Sequence, residues 1–334
     1  MLGFSAPARF EQRMRLAAKF MLAVLGSKKY RHMLRKKAAP SNEHIQACEM
    51  RGKIFADFYD EYIDGIIRST YREVLGSGGK FSAGFDRVIA GSDQIWSKAI
   101  VIVSEALRFF YLMWAEKEKR VCYAPSFGDK RPLRIEFPLH RKGLGGFARL
   151  SCREKSGCGF IRELAGRDAE LVLDPTLLLT AEQWREIARK PECGVPEHYV
   201  LRYCWGSDSW HDEQRELAGG REIIDVLSRG QEYYSHVGPR EFIWLVDHAD
   251  FVFSESFHGT AFAVNLGKNF VSFMRERKDD GRIGSLLSSA GIAGHVFGPG
   301  MKSVPDDVDY DGVRRKLDGL RAESMQYLRE CLKC

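Results

Sequence analysis

The chain has 334 residues, 44% hydrophobic and 29% charged, the composition of a soluble globular protein long enough for about two domains. Its net charge of +6 is local: residues 1–40 hold ten Lys/Arg and one acid, Glu11, so the remainder carries an acidic excess of 3, and a general nucleic-acid surface is not expected. No apolar run approaches the ~20 residues needed to span a bilayer, and the start lacks a signal-peptide pattern, so the protein is expected in the cytoplasm.

In chain order, residues 8–37 read as a basic helix, with Met14, Ala17, Ala18, Met21, Leu22 and Leu25 on one face. It can be a core-packed helix with a solvated basic face, or an interfacial helix making peripheral contact with an anionic membrane from its inner side. A second helical region, about 42–69, follows the break at Pro40. From there one phrase repeats: a short apolar run ending in small or polar residues, with helical segments between. RVIA (87–90) leads into GSDQIW (91–96), RVCYA (120–124) into PSFG (125–128), ARL (148–150) into SCREKSG (151–157), and LVL (171–173) into DPT (174–176). Pro191 to Pro196 punctuates the chain, after which the phrase resumes at 199–201, 222–226, 251–253, 270–273 and weakly 295–297. Such alternation signals parallel sheets covered by helices. The expected architecture is α/β, two Rossmann-like domains facing a cleft. The expected units are a basic helical region 1–70, domains 71–190 and 197–310, and a charged C-terminal helix 311–334. The eight cysteines read as reduced thiols; Cys331 and Cys334 form a C-x-x-C with no second pair to complete a zinc site, so no metal is expected.

The stretch FVFSESFHGTAFAVNLGKNFVSF (251–273) organises the reading. A buried strand runs into Ser254, Glu255, Ser256, His258 and Gly259, then into an apolar helix. A helix N-terminus at the carboxyl end of a parallel strand favours an anion, and His258 stands at its mouth, unless it is a satisfied histidine in an ordinary turn. Asp93, beside Ser92, is either a general base or sugar ligand, or a helix cap. Arg153 suits bidentate capture of phosphate or carboxylate; alone it would read as a surface ion pair. Asp174-Pro175-Thr176 reads mainly as a turn. Arg275, Arg277, Lys278 and Arg282 follow another strand end, and one of them is expected to face a ligand. Together these cations call for a small, highly anionic ligand in the cleft. There is no Walker A loop and no G-x-G-x-x-G.

The loops GSDQIW (91–96), YAPSFG (123–128), SCREKSG (151–157), VLDPTLLL (172–179), EFIWLVDHADFVFSESFHGTAF (241–262) and RIGSLL (282–287) fall in an order that resembles the polysaccharide pyruvyl transferase family, over about 80–334. The resemblance implies a GT-B-like fold and no cofactor. It implies phosphoenolpyruvate as donor co-substrate and a sugar of a cell-surface glycan, or its lipid-linked precursor, as acceptor, giving a pyruvate ketal. His258 and Arg153 carry over as anion-binding residues, Ser256 and Arg282 more weakly. His258 is expected as acid or phosphate clamp, Arg153 as the carboxylate or phosphate ligand, and Asp93, with Ser92, as base or acceptor contact. Family members usually begin with a strand and an Asn/Gly-rich loop; here the N-terminal domain is expected to lack that first βα unit, Glu255 and Pro125 depart from the commoner residues, and 205–238 is short. The alternatives are a nucleotide-sugar glycosyltransferase of similar architecture and a truncated, inactive relative acting as a binding module.

Overall fold

The computed structural model describes residues 2–3, 42–63, 65, 67–97, 104–128, 130–205, 210–228, 232–274, 281–298 and 300–333. The expected basic helix at 8–37 lies outside them. In chain order the elements are β1 (Leu2–Gly3), α1 (Asn42–Tyr62), β2 (Ile67–Arg68), α2 (Tyr71–Gly76), β3 (Val88–Gly91), α3 (Ser104–Phe110), β4 (Arg120–Tyr123), α4 (Phe137–Leu144), β5 (Ser151–Cys152), α5 (Lys155–Ala165) and β6 (Glu170–Leu171). Then come α6 (Ala181–Ile187), β7 (Tyr199–Tyr203), α7 (His211–Ala218), β8 (Glu222–Asp225), α8 (Glu232–His236), α9 (Pro239–His248), β9 (Phe251–Ser254), α10 (Phe257–Leu266), β10 (Phe270–Ser272), α11 (Arg282–Ala290) and α12 (Tyr310–Lys333). The described residues thus form a mixed α/β protein with parallel strand pairs throughout and twelve helices.

The largest sheet is four-stranded, in the order β10-β9-β7-β8. Its strands are apolar on both faces, as a parallel sheet covered by helices requires. Leu201, Val252 and Phe270 join one core with α9, α10 and α11; Val200, Phe251, Phe253, Val271 and Phe273 join another with Leu217 and Ala218 of α7. This is the period-2 alternation of a pleated strand, here with apolar residues on both faces. The upstream strands pair as β3-β4 and β5-β6.

Three sequence expectations are adjusted. The strand expected at 148–150 pairs instead at Ser151–Cys152, because the Arg167 guanidinium takes the carbonyls of Leu144, Phe147 and Ala148 out of any ladder. The weak run at 295–297 is reduced to a single bridge between Ser272 and Val296. Leu2–Gly3 pairs in parallel with Ile67–Arg68, a strand pairing that the reading of the N-terminus did not anticipate.

Helix α12 stitches the upstream strands to the four-stranded sheet. Val313 and Leu317 enter the core of α10 and α11, while Tyr327 and Cys331 pack on Val121, Tyr123 and Val172. Buried Arg321 donates to Leu177 O at 2.8 Å and to Asn265 Oδ1 at 2.6 Å, Ser324 Oγ accepts from Leu173 N at 2.9 Å, and Tyr327 OH donates to Cys122 O at 2.8 Å. Among the described residues no pair of cysteines forms a disulfide. Among the described residues no helix is long and apolar enough to cross a membrane.

Tyr327→Phe removes one donor but leaves Cys122 O its bond from Ser151 Oγ at 3.0 Å. Urea unfolding is expected to show a loss of about 1 kcal/mol, the net worth of one buried hydrogen bond; an unchanged midpoint would mean that α12 is not anchored there.

Candidate active site

The site grows out of the order of the four-stranded sheet. The chain runs from β7 outward to β8, then returns to β9 on the other side of β7, so the winding direction reverses between β7 and β9. At such a reversal the connections leave in opposite directions and a crevice opens at the carboxyl ends of the strands. β9 delivers the Ser254–Gly259 loop to that point. Ser254 Oγ accepts from Ser256 N and donates to Ser256 O, both at 3.0 Å, which fixes the turn. Gly259 is dictated by space: a Cβ there would run into Ser254 Oγ and stand 2.9 Å from the Tyr203 ring. The helix can therefore sit close against the strand end, with His258 in its first turn. Ser256 occupies the N-cap position with extended backbone, yet its hydroxyl makes no capping bond to the first-turn amides of α10.

The neighbouring wall comes from β3, β4 and β5. Its centre is Arg153, whose side chain is fully buried. Nη1 donates to Asp174 Oδ2 at 2.5 Å and Nη2 to Asp93 Oδ1 at 2.9 Å, and the guanidinium plane lies 4.6 Å from the centre of the Phe257 ring. Among the described residues Nε has no hydrogen-bond partner; it is 3.9 Å from Glu154 Oε2, which likewise has none there. Asp174 is the hub. Its Oδ2 also accepts from Ser92 Oγ at 2.6 Å, its Oδ1 accepts from Thr176 N and Oγ1 at 3.0 and 2.8 Å, and Oδ1 stands 4.0 Å from His258 Nε2.

Backbone strain concentrates in the same loops. Ser92 (φ 21°), Asp93 (φ 60°) and Ala124 (φ 52°) have left-handed backbones at the carboxyl ends of β3 and β4. Asp tolerates this region better than most residues, but such conformations persist only where the surroundings impose them. The surroundings do so here: Ser92 N donates to Tyr123 O, Ser126 N to Asp93 O and Trp96 N to Ser126 O, at 2.9–3.1 Å. Trp96 itself is buried, stacked on Tyr111 at 4.9 Å, and anchors the GSDQIW loop in the core.

Charge sets the resting state of each group. Burial depresses the basicity of His258; Arg153 and Arg282 lower it further, against the opposite pull of Asp174 and Asp93, so the imidazole rests neutral at pH 7. About two fifths of its side chain still meets solvent. Burial pushes Asp174 upward, but Arg153 and His258, with the bonds from Ser92 and Arg153, outweigh it and hold the carboxyl below its ordinary range. Glu154 is the opposite case. Burial raises it to about 7 in spite of Arg153 and the amide bond from Phe127 to its Oε1 at 2.9 Å.

Four of the residues singled out in the sequence, Ser92, Asp93, Arg153 and His258, thus meet in one cluster, joined through Asp174. Arg282 opens α11 and acts on both His258 and Glu154 through its charge. Ser256 stands at the N-cap position of the same helix that carries His258. Arg275, Arg277 and Lys278 lie outside the described residues. Arg153, expected to hold a ligand directly, has its guanidinium turned into the protein and shared between two carboxylates. Asp174, read as a turn residue, both makes that turn and holds the cluster together. Glu154 was not singled out either; its only signal was its place beside Arg153 in SCREKSG.

Glu154 generates a test. Its carboxyl is protonated more readily in the folded chain than in the unfolded one, where 4.5 is its ordinary value. The stability it contributes is therefore complete below 4.5 and is lost as pH rises through about 7. Urea unfolding between these limits should show stability falling with pH by up to a few kcal/mol in all, and Glu154→Gln should flatten that part of the slope; an identical slope in the variant would place the ionised form in the native state throughout.

Comparison with curated proteins finds no match. The family signature described as polysaccharide pyruvyl transferase matches residues 20–277, beginning well before the loops at 91–176 and taking in the β9–α10 unit, with Arg282 beyond its end. That span is more than half of the chain and contains Ser92, Asp93, Arg153, Asp174, Ser256 and His258. The chain belongs to the polysaccharide pyruvyl transferase family, a family of transferases.

Proposed function

We propose that this protein transfers the enolpyruvyl group of phosphoenolpyruvate onto two hydroxyls of one sugar, in a cell-surface glycan or its lipid-linked precursor, giving a pyruvate ketal and inorganic phosphate. The observation that carries this reading is the single cluster of His258, Asp174, Arg153, Asp93 and Ser92 at the strand ends, with Arg282 acting on it. The proposed architecture around it is two Rossmann-like units, 71–190 and 197–310, facing a cleft in the GT-B manner, with the protein working in the cytoplasm.

The chemistry requires a proton on the methylene carbon of the donor, which turns it into a methyl group and leaves C2 electrophilic. One sugar hydroxyl oxygen then bonds to C2 and gives up its proton. The second hydroxyl follows, the C2–O bond to phosphate breaks, and phosphate departs. His258 suits the first step. It rests neutral, and an arriving multiply charged anion raises its basicity, so the imidazole takes up a proton as the donor binds and can pass it to carbon. Arg282 and the first-turn amides of α10 oppose the developing negative charge on the leaving phosphate. Asp93, half exposed, faces the acceptor side as base or hydroxyl ligand, and Ser92 holds Asp174 in register. Arg153 serves by positioning: it fixes Asp174 and Asp93, and through Asp174 the field at His258. Trp205, at the carboxyl end of β7, is 66% exposed, 6.3 Å from the Tyr203 ring, with its backbone N–H donating to Glu255 at 3.2 Å. A large aromatic face presented to water at a ligand crevice suits the apolar face of a sugar ring.

Phosphate release from phosphoenolpyruvate, measured with a panel of glycan acceptors, tests the reading. His258→Ala should reduce the rate about 10²–10⁴-fold. The wild-type kcat/KM for phosphoenolpyruvate should rise as pH falls toward a limb below 6.5, the ordinary histidine value, and His258→Gln should remove that limb. No acceptor-dependent release, or release unaffected by His258→Ala, would overturn it. Trp205→Ala should raise the KM for the acceptor about ten-fold or more while leaving that for phosphoenolpyruvate unchanged; equal effects on both would remove the stacking role.

A further inference from the structure

The opposite end of β4 carries a second concentration of positive charge. Tyr123, at the carboxyl end of β4, leads to the candidate active site; Arg120, at its amino end, is roughly 10 Å away at ~3.3 Å per residue. Around Arg120 opens a cavity of about 730 Å³. Arg72, Arg108, Lys117, Arg120 and Lys142 line it, against one carboxylate, Glu105. These five cations come from α2, α3, the turn before β4, β4 and α4, segments distant in sequence that the fold brings together. The concentration stands out because the chain beyond residue 40 has more acids than bases.

Three of the five cations are not neutralised by any described residue. Among the described residues the side chains of Arg108, Lys117 and Lys142 make no hydrogen bond and no ion pair, although a surface of this composition offers many carboxylates. Arg120 is half-buried and donates through Nε and Nη2 to Ala115 O, so the guanidinium is held in one orientation. Its Nη1 lies 2.6 Å from where a Cβ on Gly146 would stand, so the glycine makes room for it. Glu118 acts on Arg120 only through its charge. Like charges gathered around one concavity repel, and a positively lined cleft concentrates anions. Leu75 and Met113 add an apolar wall.

We propose that this cavity is a binding site for a ligand carrying at least two phosphate groups, a pyrophosphate ester or a bisphosphate lipid headgroup. A single phosphate is small for the volume and leaves most of the cations unmatched. Guanidinium forks grip phosphate oxygens in pairs, and the lysines add point charges at the rim. The site is separate from the His258 cluster, because the two lie at opposite ends of the same strand.

The test uses the full-length protein at low ionic strength, with inorganic pyrophosphate followed by calorimetry and cardiolipin-containing phosphatidylcholine vesicles followed by co-sedimentation. The variant is Arg108→Glu/Lys142→Glu, whose side chains are exposed; an unchanged melting temperature without ligand shows that it folds. Pyrophosphate binding that weakens about ten-fold or more in this variant and persists in His258→Ala supports the proposal with a soluble ligand. Vesicle binding lost in the variant, with no pyrophosphate binding by either protein, supports it with a lipid headgroup. If neither probe distinguishes the wild type from the variant, or if pyrophosphate binding is lost in His258→Ala and kept in the charge-reversal variant, the proposal is wrong.

Discussion

A guanidinium cannot be removed from water without counter-charges, and Arg153 is fully buried. That constraint organises the candidate site. Two carboxylates must approach Arg153, and they come from the loops after β3 and β6. Their approach fixes the left-handed turn at Ser92 and Asp93, and it draws Asp174 to within 4.0 Å of His258 on a helix from the downstream sheet. Phe257 closes the remaining face of the guanidinium, so the residue before His258 also belongs to the arrangement. A buried ion pair is weak evidence for stability, because desolvation consumes most of what attraction supplies. Its worth here is geometric: it couples four loops whose side chains must act together.

The parallel sheet makes this possible. Every strand of a parallel pair presents its carboxyl end on the same side, so loops distant in sequence converge without any specific attraction between them. Helix α12 then ties the upstream strands to the downstream core through Arg321, Ser324 and Tyr327. The relative position of Arg153 and His258 therefore depends on a helix that contains neither, and on the bond between Lys155 N and Ser285 Oγ at 3.0 Å.

The two anionic sites differ in kind. At His258 the charges are few and paired with one another, and burial lowers the basicity of the imidazole. Around Arg120 the charges are numerous and mostly exposed, and three of them, Arg108, Lys117 and Lys142, have no side-chain partner among the described residues, which suits attraction and retention of an anion but no chemistry on it. Residues on the two ends of a single short strand, Arg120 and Tyr123, thus serve different environments.

Much of this was legible in the chain itself. Short apolar runs, each followed by small polar residues, are what strands buried on both faces and ending in ligand loops must look like, and six of the nine runs read as strands pair where expected, a seventh overlapping its strand only at Leu171. Ser92, Asp93, Arg153 and His258 stood out because they lie in the loops that follow such runs, at the strand ends where ligands bind. What only the tertiary structure decided is who meets whom. Asp174 looked like a turn residue, and locally it is one; its second carboxylate oxygen finds Ser92 and Arg153 across 82 and 21 residues of sequence. Arg153 looked like a ligand hook, but its burial against two carboxylates, and the rise of Glu154 to about 7 beside it, depend on a desolvated interior that no sequence pattern reports. The cavity at Arg120 is of the same kind: five cations scattered over some seventy residues become one site only when α2, α3, β4 and α4 pack around it. Local sequence determines strands, turns and helix starts because those depend on neighbours along the chain; charge state and clustering depend on distance through space, which the fold alone sets.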